Sequence, residues 1–154
     1  MAWSNLLSVL NAHLVTAGAT LTPAITYVRR GEPVSIPVDT IAYWYDGDQE
    51  SSTGGNTFAK VNVEERITIT VYFRVGDHKD SYDATLDERI RAANRAIQAR
   101  LWGDAHLGEN CIGLAIENTR TAWVQYDVGP PERWAKTLTI PIAVDMAETE
   151  SISA

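Results

Sequence analysis

Apolar and polar residues alternate along residues 66–75, and this alternation is the clearest structural signal in the chain. The apolar positions are Ile67, Ile69, Val71, Phe73 and Val75. A period of two is typical of a strand with one face on a core and one face left polar. The run from Trp134 to Val144 shows a similar pattern and predicts a second long strand, which closes the domain.

Apolar residues at three- and four-residue spacing predict two helices. The first begins at Ser4, which is expected to act as its N-cap, and ends at Gly18. The second begins with a capping-box pattern at residues 85–88 and ends at Gly103. Its apolar stripe consists of Leu86, Ile90, Ala93, Ile97 and Leu101.

Shorter β-prone runs predict further strands over residues 24–29, 40–45, 111–117 and 121–126. Few crossover helices separate these strands, so we expect an α+β fold. Its sheet would be mainly antiparallel, with two principal helices packed on one face and a long protruding β-hairpin. We expect a single domain over residues 1–147 and a short polar tail over residues 148–154.

Residues 46–57 are polar, acidic and rich in glycine, and they are expected to form an extended loop at the tip of the hairpin. Loops of this length in a compact domain are usually disordered or functional. The loop contributes four candidate interaction residues, which are Asp46, Asp48, Glu50 and Asn56.

The strand before this loop has aromatic or apolar residues on both faces. Trp44 points away from Ile41, Tyr43 and Tyr45 if the strand alternates regularly. Tryptophan and tyrosine are enriched at protein interfaces. Trp44 is therefore a candidate contact with a molecule outside this chain.

The chain has 154 residues, a net charge of −7 and one cysteine, Cys111. The acidic balance argues against a dedicated nucleic-acid-binding protein, which would carry a basic stripe. Cys111 lies in an apolar run and is interpreted as a small buried hydrophobic residue rather than a nucleophile. We expect a protein used in a reducing, aqueous compartment, with no membrane span.

No spacing of residues predicts catalysis, a metal site or a cofactor. The three histidines, His13, His78 and His106, lack neighbours at metal-ligand spacing that would complete a site. The acidic run at 46–50 lacks the glycine and glutamate positions of a calcium loop. The sequence therefore predicts no catalytic residue, no metal and no cofactor, and a protein that is not an enzyme.

In the order and length of its elements, the chain resembles the tail terminator proteins of long-tailed bacteriophages. The similarity rests on the N-terminal helix (residues 4–17), the alternating strand (67–75), the helix after it (85–102) and the closing strand (138–144). It spans most of the chain but includes no diagnostic motif. The proline-rich segment 32–38 has no counterpart that can be aligned.

This resemblance implies a structural virion protein that forms a hexameric ring, caps the finished tail tube and joins it to the head connector. The implied partners are copies of itself, the major tail tube protein and the head–tail connector protein. DNA would pass through the ring without sequence-specific binding. The protein would be assembled in the bacterial cytoplasm and reside at the neck of the virion.

The resemblance also makes the second helix a candidate subunit contact, through Arg89, Arg91, Arg95 and Arg100. A solvated helix face explains the same residues equally well. Asp87 precedes Arg91 by four positions, an orientation that favours an ion pair within the helix.

Two alternatives remain open from the sequence. The first is a head-completion or connector protein from the other side of the same joint. The second is a small α+β domain that binds a ligand or acts as an enzyme, which predicts a monomer with an aromatic-lined pocket and a perturbed ionisable group.

Overall fold

The computed structural model describes residues 2–53, 60–76, 84–127 and 133–149. Within these residues the chain forms two helices and six strands, and the fold is α+β as the sequence predicts. In chain order the elements are α1 (Ala2–Ala19), β1 (Tyr27–Arg30), β2 (Thr40–Thr53), β3 (Lys60–Gly76), α2 (Ala84–Trp102), β4 (Gly113–Ile116), β5 (Arg120–Asp127) and β6 (Arg133–Thr149).

The six strands form one sheet in the order β1-β2-β3-β6-β4, and β5 also pairs with β6. Four of the pairings are antiparallel, whereas β1 pairs with β2 in parallel. The centre of the sheet is the β3–β6 pair, in which Ile67 faces Ile142 and Ile69 faces Ile140. The predicted mainly antiparallel sheet is confirmed.

Both helices pack on one face of this sheet and enclose the main core. The alternating apolar positions of β3 supply Ile67, Ile69, Val71 and Phe73, each at most 1 % exposed. All five residues of the predicted α2 stripe are buried. Burying each large apolar side chain contributes about 2 kcal/mol, so this layer is the main source of stability.

The opposite face of the sheet carries no helix from the described part of the chain, but residues 31–39 cover one end of it. Ile36 is buried there against Ala42, Tyr72 and Ala135, and the half-buried Trp44 packs beside them. Part of the cover that the sequence analysis assigned to another molecule therefore comes from this chain. The rest of this face is threonine-rich, and Thr70 and Thr139 place their hydroxyl oxygens 3.5 Å apart.

The hairpin differs from the predicted one, because β2 does not end before the acidic run. It continues to Thr53 and stays paired with β3, with Gln49 opposite Glu65 and Thr53 opposite Val61. A register shift between Tyr45 and Gln49 marks where the strand enters the acidic run. Residues 46–53 are thus strand and not loop, and residues 54–57 of the predicted loop lie outside the described residues.

The last strand is also longer than predicted. It runs to Thr149 and pairs with β3 along its length, so residues 148 and 149 of the predicted polar tail belong to β6. Residues 150–154 lie outside the described part of the chain.

Pro141 explains why the outer partner of β6 is divided into two strands. The pairs of β4 with β6 end at Ile116–Ile142, and those of β5 begin at Arg120–Thr139. Between them, the backbone N–H of Glu117 donates to the carbonyl of Pro141 at 2.8 Å. Pro141 has no N–H to return a bond on this side, so regular pairing stops there and resumes three residues further on.

The two helices begin slightly earlier than the sequence suggests. α1 begins at Ala2, which places Ser4 inside the helix, where its carbonyl accepts a bond from the Ser8 hydroxyl. α2 begins at Ala84, so Thr85 lies within the first turn and is not the N-cap. Gly103 follows the last residue of α2, as predicted.

Candidate interaction surfaces

The four arginines predicted on the second helix fall into three environments. Arg89 is half-buried and pairs with the carboxylate of Asp39, and its guanidinium lies 5.2 Å from the centre of the Phe73 ring. The other oxygen of Asp39 accepts the backbone N–H of Arg74 at 2.9 Å. Arg89 therefore fastens α2 to β3 and to the segment before β2, and its charge is satisfied within the chain.

Arg91 and Arg95 are exposed, and neither forms a hydrogen bond or ion pair with any residue in the part of the chain that the structure describes. The predicted ion pair between Asp87 and Arg91 is not formed. Such a pair on an exposed helix contributes only about 0.3–0.5 kcal/mol, too little to hold two long side chains together. Both arginines therefore present their charge to the surroundings.

Arg91 and Arg95 line a groove of about 700 Å³ between α2 and the turn that follows α1, which we call the arginine groove. Its lining residues are Thr20, Leu21, Thr22, Thr85, Glu88, Arg89, Arg91, Ala92, Arg95 and Ala96. Since Arg89 is already paired with Asp39, the guanidinium groups of Arg91 and Arg95 give the described lining its positive charge, beside one carboxylate, three threonines and apolar patches. Such a surface fits a negatively charged partner segment.

Arg100 lies outside the arginine groove, near the end of α2. It donates to Nδ1 of His13 on α1 at 3.1 Å, and Nε2 of His13 lies 2.8 Å from the carboxylate of Asp104. Arginine has no acceptor atom, so Nδ1 accepts and Nε2 carries the proton donated to Asp104. The sequence predicted neither contact, because the partners of His13 are 87 and 91 positions away.

Asp104 is the centre of this helix–helix contact. The hydrogen bond from His13, together with that from the backbone N–H of Gly108, lowers the pKa of the Asp104 carboxyl below its usual value. Both bonds stabilise the carboxylate, so the cluster joins α1, α2 and the turn after α2. This arrangement is structural and gives Arg100 a partner inside the chain.

Trp44 and Asp46 lie far from the arginine groove, on the face of the sheet away from the helices. Together with Arg66, Glu117 and Pro141 they line a shallow groove of about 250 Å³. Asp46 is exposed and forms no hydrogen bond or ion pair with the described residues. Trp44 is half-buried, with one side packed against the Ile36 cluster.

Arg66, which the sequence did not mark as a site residue, organises the charges beside Trp44. Its guanidinium pairs with Glu117, and it also bonds Glu64 at 2.9 Å. Its position on the polar side of the alternating strand was the only signal of an outward-facing side chain. Its partner Glu117, the residue after β4, could not be identified from the sequence pattern.

The remaining predicted site residues lie further along the hairpin. Asp48 and Glu50 lie in β2, where Glu50 pairs with Glu64 across the ladder. Asn56 lies outside the described residues. The structure therefore brings together Arg89, Arg91 and Arg95 on one face, and Trp44 and Asp46 on the other.

Packing explains the shifted pKa values of three other titratable groups, since burial is the largest cause of each shift. Partial burial raises the pKa of the Cys111 thiol to about 11, and the side chain is half-buried at the edge of the main core, less buried than the sequence predicted. Burial and the nearby Glu32 raise the pKa of Tyr72 to about 12. Burial also raises the pKa of Tyr43, whose hydroxyl donates to Asn11 on α1 at 3.0 Å.

Among residues 2–53, 60–76, 84–127 and 133–149, no group of three or more His, Cys, Asp or Glu side chains is arranged to hold a metal ion. Neither α1 nor α2 is both long and apolar enough to cross a membrane, and no other helix occurs in that part of the chain.

Comparison with models of known protein families gives no match to this chain. Comparison with curated protein sequences also gives no significant match.

Proposed function

We propose that this chain is a structural protein of a bacteriophage virion, a tail terminator that forms a ring, caps the tail tube and joins it to the head connector. In this role the protein works by binding copies of itself and its neighbours, and it catalyses no reaction. The ring is expected to be hexameric, as in the family that the chain resembles.

The observation that carries the proposal is the three-stranded ribbon formed by the ends of β2, β3 and β6. The pairs of β4 with β6 end at Asp145, yet β6 continues to Thr149 and β3 pairs with it from Lys60. β2 stays on the other side of β3 as far as Thr53. Beyond Asp145 no described strand pairs with the outer edge of β6, and a strand edge left open in this way fits contact with another molecule.

The order of elements gives a second line of support. The resemblance was based on an N-terminal helix, a long alternating strand, a helix directly after it and a long closing strand. The structure has these elements in this order, as α1, β3, α2 and β6. Element order alone supports an analogy of fold, so the function requires a direct test.

The test is tube capping. The full chain is added to the major tail protein of the same phage while that protein polymerises, and tube length is measured by negative-stain electron microscopy. We expect tubes that stop growing and carry a ring at one end. A variant in which a two-residue turn replaces residues 48–63 should remain folded, by circular dichroism, and should fail to cap.

Unlimited tube growth with no bound protein would overturn the proposal. Binding to DNA-filled heads instead of tubes would favour the head-completion or connector protein. Turnover or tight binding of a small molecule by a monomer would favour the ligand-binding or enzyme domain.

A further inference from the structure

We propose that β5 (Arg120–Asp127) pairs with β5 of a second copy of this chain, antiparallel and about a two-fold axis that passes between the two Trp123 residues. The contact joins the two sheets into one across an exposed edge. This inference goes beyond the proposed function and does not depend on it, because the contact uses none of the strand ends that form the ribbon.

β5 is the least protected edge strand among those that the structure describes. It has eight residues and pairs only with β6, so no strand from the described part of the chain lies along its other edge. Between Arg120 and Asp127 it has no charged residue, no proline and no glycine, and its register shift comes only after Gln125. Natural proteins block exposed edges with charges, proline, bulges or very short strands, because an unprotected edge pairs readily with another strand.

The other described edges carry such protection. β1 and β4 have four residues each, and β1 includes Arg29 and Arg30. Beyond Tyr43, β2 passes through a register shift and an acidic run. The end of β6 includes Glu148. Among the described strands, β5 is therefore the one whose edge most needs a partner strand.

The backbone of β5 is oriented for this pairing. The carbonyl of Ala122 accepts the Thr137 hydroxyl at 3.2 Å, so it points towards β6. Because successive residues of a strand direct their backbone groups to opposite edges, Thr121, Trp123 and Gln125 direct theirs away from β6. In an antiparallel pair centred on Trp123, Thr121 faces Gln125 of the second copy and Trp123 faces its own counterpart. Residues that face each other in this way exchange two backbone hydrogen bonds.

The side chains that meet in this register are compatible. Trp123 lies on the helix side of the sheet, where the two rings come to lie opposite each other, and cross-strand aromatic pairs stabilise a sheet. On the other side, Ala122 faces Val124 of the second copy, and both residues are exposed in the single chain. A groove of about 450 Å³ separates Ile90 of α2 from Trp123, so there is room for side chains of the second strand.

A second copy fits this edge better than an unrelated strand. The chain has a net charge of −7, so two copies repel each other overall, and a contact between them requires a surface without charge. Residues 121–126 supply such a surface. Two-fold pairing also covers both unprotected edges in one closed contact, so that no further copy can add through this edge.

The first test is disulfide trapping of the register in the full chain. Cys111→Ser removes the native thiol, and Ala122→Cys and Val124→Cys are made separately in that background. Directly opposite Cβ atoms lie about 4.5–5.5 Å apart, whereas diagonal neighbours are about 7–8 Å apart, too far for an unstrained disulfide. Under mild oxidation an equimolar mixture should therefore form heterodimers, identified by mass spectrometry, at least about tenfold faster than either variant forms homodimers.

The second test places charge in the contact. Ala122→Glu with Val124→Glu sets like charges opposite each other, and so does Ala122→Lys with Val124→Lys. By sedimentation velocity in about 0.15 M salt, the wild type should form a dimer of its 17.0 kDa chain, and each variant should dimerise at least about tenfold more weakly. An equimolar mixture of the two variants should recover the dimer. Ala12→Glu with Ala99→Glu, at two exposed alanines of the helices, is the matched control and should dimerise like the wild type.

Circular dichroism checks that every variant is folded. A wild type that stays monomeric on the order of 100 μM, folded charge variants that dimerise like the wild type, or cross-linking that is no faster in the mixture would each overturn the inference. Tube capping is a separate measurement. Dimerisation without capping would support this inference alone, whereas capping by a wild type that is otherwise monomeric would support the proposed function and overturn the pairing.

Discussion

The carboxylate of Asp39 accepts the backbone N–H of Arg74 at 2.9 Å and pairs with the side chain of Arg89 through its other oxygen. One side chain in the segment before β2 thus ties the end of β3 to α2. The side chain of Arg74 returns a bond to the carbonyl of Pro37, two residues before Asp39. This contact holds residues 31–39 over the end of the sheet, where Ile36 is buried.

We predict that Asp39→Ala destabilises the protein by about 1–3 kcal/mol, because it leaves the Arg74 N–H and the Arg89 guanidinium without their acceptor. The measurement is urea unfolding followed by circular dichroism. Asp87→Ala is the matched control, since Asp87 is exposed and has no partner in the described residues. It should change stability by less than about 0.5 kcal/mol. Equal effects of the two substitutions would contradict this account of Asp39.

A second prediction concerns Gly18, near the end of α1. A Cβ on this residue would lie 2.2 Å from the backbone carbonyl oxygen of Ile25, whose N–H donates to the Gly18 carbonyl at 3.0 Å. Gly18→Ala should therefore destabilise the protein by about 1–3 kcal/mol, because backbone has to move. Gly113→Ala is the control, since a Cβ there meets nothing within 4 Å. Thermal unfolding of both variants tests this, and an unchanged melting temperature for Gly18→Ala would refute it.

The spacing of apolar residues correctly predicted the helices and strands that bury a single face against the core. The α2 stripe and the alternation in β3 were correct because each element buries one face against the same core. The acidic continuation of β2 was missed because aspartate and glycine have low β propensity. Those residues are strand because β3 continues beside them and supplies their backbone partners, a tertiary effect that no local pattern records.

The candidate surfaces were predicted only in part, for a related reason. The pattern placed four arginines on one helix, but it could not tell which of them find partners. Arg89 and Arg100 are satisfied by residues 50 and 87 positions away in the sequence, whereas Arg91 and Arg95 have no partner among the residues that the structure describes. Likewise, the sequence includes Pro141 in the final strand, but only the sheet order shows that it divides β4 from β5.

A third prediction concerns the reactivity of Cys111. Burial, with smaller contributions from nearby carboxylates, raises the pKa of its thiol to about 11, and Sγ lies 3.6 Å from the carbonyl oxygen of Ala105. Alkylation at pH 8 should be on the order of a hundredfold slower than for the same chain unfolded in denaturant, because little thiolate is present. The rate should rise as the pH approaches 11. Equal rates in the folded and unfolded protein would show that the thiol is not protected.

The last prediction is the pH dependence that Asp104 confers. Its pKa is lower in the folded protein than in the unfolded chain, because His13 and the backbone N–H of Gly108 both donate hydrogen bonds to its carboxylate. A depressed carboxyl pKa contributes stability that is fully present above the unfolded value of about 3.9 and is lost as the pH falls through the folded value. The asparagine variant, Asp104→Asn, lacks this titration.

The difference in the free energy of unfolding between the wild type and Asp104→Asn should therefore be largest and constant above about pH 5, and it should shrink as the pH falls below about 4. Urea unfolding at a series of pH values measures this difference directly. His13→Gln removes the larger cause of the shift but keeps the bond from Gly108, so its acid dependence should lie between the two. A constant difference across the acid range would mean that the helix–helix contact does not depend on the charge of Asp104.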